Sequence, residues 1–132
     1  MNDIEFIAYA ESVCFEKPWT AGEIRAAAED GFAVTVVIPG TGYALGRLLC
    51  DEAELYRIAV LPEKRRAGAG AGLLGRFVDE CLSRGAERVF LEVRSRNVPA
   101  VTLYEHSGFT LIAKRKNYYG DDDALIYKRD IR

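Results

Sequence analysis

The segment Arg65-Arg66-Ala67-Gly68-Ala69-Gly70-Ala71-Gly72 sets three glycines at alternate positions. It runs straight into Leu73-Leu74-Gly75-Arg76-Phe77-Val78, which reads as a helix. Glycine leaves no side chain between the backbone and an approaching ligand. The first turn of a helix offers unpaired N–H groups at the positive end of its dipole. Together these features suit a phosphate, and Arg65 and Arg66 add positive charge beside it. A tight turn with no ligand is the plain alternative. Two known phosphate motifs fail on residues. A P-loop needs Gly-Lys followed by Ser or Thr, where this chain has Gly70-Ala71-Gly72. A dinucleotide fingerprint counted from Gly68 meets Leu73 at its third small position, and the chain has no room for a second nucleotide-binding half.

Two further side chains could move protons. Glu92 lies inside the apolar stretch Val89–Val93, on the same strand face as Phe90 and Arg94. Tyr104 follows Leu103 on a helix. A carboxylate can act as a general base, and a phenol, with a reference pKa near 10, as a general acid. On residue type alone, Glu92 reads equally as a solvated strand carboxylate or a partner for Arg94, and Tyr104 as core packing. Glu54 is a further carboxylate, on the third strand of an expected antiparallel meander. His106, the single imidazole, falls near a helix C-terminus, where it satisfies the dipole.

These residues need elements to hold them. A weak helical pattern covers about residues 3–16 and is ended by Pro18. Thr20, with Glu23 three residues later, marks a capping box that opens a second helix running to about Asp30, where Gly31 stops it. Phe32–Ile38, Tyr43–Cys50 and Ala53–Leu61 read as three strands of an antiparallel meander, with turns at Pro39–Gly42 and Asp51-Glu52. The helix after the glycine segment runs to about Arg84 on an apolar stripe of Leu73, Leu74, Phe77, Val78, Cys81 and Leu82, with Gly85 beyond its end. A strand over 88–94, a helix capped by Asn97 and ended by Gly108, and a hairpin of Phe109–Asn117 with Ala124–Arg129 complete the order. The order ααβββαβαββ predicts an α+β domain built on a mixed sheet with a central β-α-β unit.

Composition restricts the function classes. The chain has 132 residues, 49% apolar and 29% charged, which suits one globular domain. A net charge of −2 gives no basis for broad nucleic-acid binding. Three cysteines without ligand-like spacing and one histidine exclude a zinc site, so the thiols Cys14, Cys50 and Cys81 are expected to be buried and reduced. The acidic N-terminus (Asp3, Glu5, Glu11) lacks the basic start of a secretory signal, and no apolar run approaches the roughly 20 residues of a membrane span. A cytoplasmic protein is expected.

Preceded by Tyr56-Arg57-Ile58-Ala59-Val60-Leu61-Pro62, the pattern Arg65-x-x-Gly68-x-Gly70 resembles the acetyl-CoA motif of the GNAT acyltransferase superfamily. The likeness continues through Phe90-Leu91-Glu92-Val93-Arg94, Asn97, Ala100, Leu103-Tyr104-Glu105, Gly108-Phe109 and Arg115-x-Asn117-Tyr118-Tyr119, and back to Pro18-Trp19-Thr20. Together these stretches resemble the RimI-type protein N-terminal acetyltransferases over essentially the whole chain.

The resemblance implies one GNAT domain over residues 1–132 and a mixed, largely antiparallel sheet with helices on both faces. It implies acetyl-CoA as cofactor, held by Ile58, Val60, Arg65, Arg66, Ala67, Gly68, Ala69, Gly70, Ala71, Asn97 and Tyr104. Glu92 becomes the base, with Glu54 as the alternative base, and Tyr104 the acid that protonates the departing thiolate, with no cysteine acylated. Tyr118 and Tyr119 become the cover over the acceptor peptide. The implied partner is the N-terminus of a protein substrate, foremost the N-terminal alanine of a ribosomal protein. Two alternatives stay open: a GNAT enzyme acting on a small amine, and a non-catalytic acyl-CoA-binding module, which needs neither Glu92 nor Tyr104. In one respect the chain departs from the pattern. RimI-type proteins begin with a strand, whereas this chain starts almost at the first helix, so that strand is expected to be absent or rebuilt.

Overall fold

A computed structural model describes residues 1–132. Helix α1 spans Asp3–Cys14, with Asn2 Oδ1 accepting the Glu5 N–H at 2.9 Å as its cap. It stops ahead of Pro18, because the Phe15 backbone turns extended after its N–H bonds Glu11 O. Helix α2 spans Ala21–Ala28 and opens on the expected capping box. Thr20 Oγ1 accepts from Glu23 N–H at 3.1 Å, and Glu23 Oε1 accepts from Thr20 N–H at 3.0 Å. The helix ends short of Gly31 because the Asp30 carboxylate takes the Phe32 N–H at 2.7 Å and turns the chain toward the first strand.

Strands β1 (Ala33–Ile38), β2 (Gly42–Leu49) and β3 (Glu52–Val60) form the expected meander. Helix α3 (Ala69–Ser83) then crosses to β4 (Arg88–Arg94), which lies parallel to β3. After helix α4 (Val98–His106), β5 (Thr110–Arg115) and β6 (Ala124–Asp130) close a six-stranded sheet of order β1-β2-β3-β4-β6-β5. No strand precedes α1 within these residues, so β1 forms one edge of the sheet.

The sheet separates two apolar layers. Leu73, Leu74, Phe77, Val78 and Cys81 of α3 pack with Val89, Leu91 and Val93 of β4, with Tyr104 of α4 and with Tyr127 of β6. On the opposite face Phe6, Ile7 and Ala10 of α1 and Ile24 of α2 cover Tyr43, Leu45 and Ala59. Close seating of α3 depends on Gly46, where an added Cβ would lie 2.6 Å from Phe77 Cζ and 2.1 Å from Glu54 O. Of the thiols expected to be buried only Cys81 is fully so. Cys14 is half-buried, and Cys50 is exposed because it lies in the β2–β3 turn, outside both layers.

What shapes the rest of the molecule is the short pairing of β3 with β4. They are in register only from Glu52↔Arg88 to Leu55↔Leu91. Beyond that point β3 stays with β2 as far as Val60, and β4 stays with β6 as far as Arg94. The divergence begins at Tyr56. There the β2–β3 register shifts, with Leu45 opposite Arg57 and Gly46 opposite Leu55, so Tyr56 is the extra residue of a bulge that bends the strand.

Candidate active site

Where β3 and β4 part, a cleft of about 700 Å³ opens. Tyr56, Arg57 and Ile58 line one side; Glu92, Val93 and Arg94 line another; Asn97, Ala100 and Tyr104 enter from α4, and Phe15, Trp19 and Tyr119 complete it. The β3 backbone faces this space in a defined way. Leu61 N–H donates to Thr41 O at 2.8 Å. Bonded and non-bonded pairs alternate in an antiparallel ladder, so Val60 opposite Gly42 and Ile58 opposite Ala44 are non-bonded pairs. Their N–H and C=O groups point away from β2, into the gap. The Val60 carbonyl is already taken, by Arg65 Nε at 2.9 Å and Cys14 Sγ at 3.4 Å. Its N–H and the Ile58 backbone remain available.

The glycine segment lies at the end of this gap. Helix α3 begins at Ala69, four residues earlier than the sequence suggests, because Gly68 adopts a left-handed φ of 78° and turns the chain into the helix. Gly70 and Gly72 therefore occupy the first turn, where helix propensity matters least. No side chain caps this terminus. The first satisfied amide is Gly72 N–H, bonded to Gly68 O at 3.0 Å, while the N–H groups of Arg66, Ala67, Gly68, Ala69, Gly70 and Ala71 make no hydrogen bond within the chain. Free donors at, and just before, a helix N-terminus suit an anion such as a pyrophosphate. A Cβ on Gly70 would sit 3.4 Å from Leu103 Cδ2, so α3 also approaches α4 closely here. Arg65 braces the loop against Val60 through Nε, and Arg66 is exposed in left-handed conformation with φ of 67°.

On the other side of the cleft, Glu92 accepts a hydrogen bond from the Tyr119 hydroxyl at 2.8 Å. Burial, and then this bond, push the Tyr119 phenol up to about 12. Arg94 does not pair with Glu92. Its guanidinium lies 4.0 Å from the Tyr119 ring centroid and bridges to Asp121 at 3.1 Å. The turn carrying Tyr119 is tied to the end of β4, since buried Asp122 accepts from Ser95 Oγ and, at 3.0 Å, from Arg96 N–H. Tyr118 differs from the expectation that both tyrosines cover the cleft. It is 54% exposed and stands outside, edge-on to Tyr119 at 5.2 Å, with the Arg115 guanidinium over its ring.

Tyr104 is buried against Phe109, its hydroxyl has no partner in the chain, and burial pushes it up to about 12. Asn97 caps α4 through Ala100 N–H at 3.3 Å and lines the cleft. Glu54 also borders it, its carboxyl raised by burial and by the neighbouring charge of Glu92. His106 is exposed at the end of α4 and does not line the cleft, nor does any cysteine. The sequence reading missed Arg57 and Phe15, which are brought in from segments 42 positions apart. It also missed the buried Glu11 that binds Arg57; the signal available for it was a carboxylate in the apolar stripe of α1.

A model of the acetyltransferase (GNAT) family matches residues 5–109. The chain belongs to that family. Among GNAT relatives, the ribosomal protein bS18-alanine N-acetyltransferase of Escherichia coli strain K12 is 42% identical over 88 residues, which are 64% of this chain and 60% of that enzyme. That match spans less than two thirds of the relative's length. The enzyme of the same name from Haemophilus influenzae is 32% identical over 132 residues, 94% of this chain and 90% of the relative. In three dimensions the ribosomal-protein-S18-alanine N-acetyltransferase of E. coli aligns with a TM-score of 0.87 at 32% identity, covering 98% of this chain and 88% of that one. The GNAT fold expected from the sequence is therefore the fold observed.

Proposed function

We propose that this chain is an acetyl-CoA-dependent N-acetyltransferase that modifies the N-terminal α-amine of a protein, with the N-terminal alanine of a ribosomal protein as leading substrate. The observation that carries this reading is the meeting of Glu92 and Tyr104 on one cleft, beside an uncapped helix start with six free amides. The relatives named for bS18-alanine acetylation support the choice of acceptor. Acetyl-CoA supplies the thioester. Free backbone N–H groups of β3 polarise its carbonyl oxygen, in the manner of an oxyanion hole. The acceptor amine attacks the carbonyl carbon, a C–N bond forms and the C–S bond breaks. Glu92 takes the proton that the amine loses, directly or through water, and Tyr104 gives its own to the departing thiolate. The products are the N-acetylated protein and coenzyme A, and no cysteine carries the acetyl group.

The test is mass spectrometry after incubation with acetyl-CoA and a panel of peptides differing at the first residue, together with free polyamines and amino sugars. A mass gain of one acetyl group on peptide N-termini, strongest with alanine first, is expected. Acetylation confined to small amines, or coenzyme binding without turnover of any amine, overturns the proposal.

A further inference from the structure

Helix α1 carries a charged residue in its inward stripe. Ile7, Ala10, Glu11 and Cys14 follow the i, i+3, i+4, i+7 spacing of a buried helix face, and Glu11 is completely inaccessible to solvent. A buried carboxylate is costly unless it is partnered, and Glu11 has three partners. Its Oε1 accepts from Trp19 N–H at 2.7 Å and pairs with Arg57 Nη2 at 3.1 Å, while Oε2 accepts from the Tyr43 hydroxyl.

Two of the three partners lead to the cleft. The Arg57 guanidinium carbon lies 4.1 Å from the Phe15 ring centroid and 4.9 Å from that of Trp19, and Nη2 also reaches Lys17 O at 3.5 Å. Glu11 and Arg57 thus hold the whole α1–α2 connection against β3. Phe15, Trp19 and Arg57 line the cleft that also holds Glu92 and Tyr119. Stability alone is a poor reason for such an arrangement, since a well-packed apolar replacement of a buried ion pair is often as stable or more so. What an ion pair with directed hydrogen bonds adds is a fixed geometry. None of the Glu11 bonds involves the loop of residues 65–71.

We infer that Glu11 is a positioning residue for the acceptor: without touching either substrate it sets Phe15, Trp19 and Arg57 as one wall of the acceptor side of the cleft. This rests on the acetyltransferase reading above. Steady-state kinetics on an acceptor peptide, with coenzyme affinity measured separately by calorimetry, test it. Glu11→Gln keeps the shape and the acceptor for Trp19 but loses the ion pair. It is expected to raise the acceptor KM about 10- to 100-fold, the size of effect that small misplacements produce, while leaving coenzyme affinity unchanged. Arg57→Met is expected to do the same, and the double variant to be no worse than the more affected single one, because both changes remove one coupled unit. Tyr43→Phe removes a Glu11 partner that does not reach the cleft. It is expected to lower the melting temperature without moving the acceptor KM.

An unchanged acceptor KM in Glu11→Gln overturns the inference. So do a parallel loss of coenzyme affinity, an equal KM rise in Tyr43→Phe, or additive KM effects of the two cleft-side changes. Should Glu11→Gln fail to fold, Arg57→Lys, which keeps a cation for the carboxylate but loses the stacked plane, carries the same test. Failure of the acetyltransferase reading shows separately and earlier, as a wild-type protein that acetylates no peptide.

Discussion

The two sides of the cleft are built from different material. Backbone amides form most of the proposed donor side: Ile58 and Val60 on the splayed strand, then the consecutive N–H groups of residues 66–71 at the start of α3. The proposed acceptor side consists of side chains that line the cleft: Phe15 and Trp19 from the first helical connection, Arg57 from β3, Glu92 from β4 and Tyr119 from the last turn. A backbone site depends on what is missing, namely Cβ atoms and a capping side chain. A side-chain site depends on which residues the fold brings together. The first is expected to tolerate small substitutions and fail with bulk; the second should fail residue by residue.

The largest separation between the two sides is expected from Glu92→Gln, which keeps the Tyr119 contact but removes the base. The turnover number should fall about 10²- to 10⁴-fold, with coenzyme affinity by calorimetry unchanged. Tyr104→Phe comes next, at about 10²-fold, smaller because a thiolate leaves more readily than an amine or alkoxide. Its pH dependence has a defined sign. Burial raises the phenol from its ordinary value near 10 to about 12, so the acid form persists through the alkaline range. The wild-type turnover number should show no downward limb from Tyr104 below about pH 11, and the variant should lie below it by a constant factor between pH 7 and 10.

Gly70→Val probes the donor side by adding bulk to the cradle, where a Cβ already approaches Leu103. Losing one or two charge-assisted amide bonds predicts coenzyme affinity weaker by about 10- to 100-fold, with the acceptor KM unaffected. Ala69→Ser, which adds one small group at the same helix start, should bind coenzyme within about threefold of wild type. The smallest effect belongs to Tyr119→Phe. Loss of a single hydrogen bond to Glu92 should change the acceptor KM by about two- to tenfold, and Tyr118→Phe, outside the cleft, should change nothing. Equal effects from Tyr118 and Tyr119 would erase the distinction between them.

The same contrast explains what could be read from the chain. The donor side is local: Gly68, Gly70 and the helix stripe from Leu73 are contiguous, so spacing alone points to an anion cradle, and only the start of α3 is displaced, because glycine propensity counts little in a first turn. The meander, the capping box at Thr20 and the α3 crossover follow from short-range pattern. The insertion of β6 between β4 and β5 does not, since register with β4 is a long-range choice. The acceptor side is harder still. Glu92 and Tyr119 are 27 positions apart, and Glu11 and Arg57 46. Nothing near Glu11 in sequence reveals that a buried carboxylate there will find Arg57. Tyr118 and Tyr119 are indistinguishable by residue type; only the turn geometry set by Asp122 and Asp123 turns one inward.

The proposed reaction passes the acetyl group directly from acetyl-CoA to the acceptor amine, with Glu92 as base and Tyr104 as acid on one cleft. Its most direct test is thioester-cleavage kinetics of the Glu92→Gln, Tyr104→Phe double variant with a peptide bearing N-terminal alanine, at saturating acetyl-CoA and with coenzyme binding verified by calorimetry. Turnover below that of either single variant, with coenzyme still bound, is the predicted result. Turnover at the wild-type rate would contradict the account.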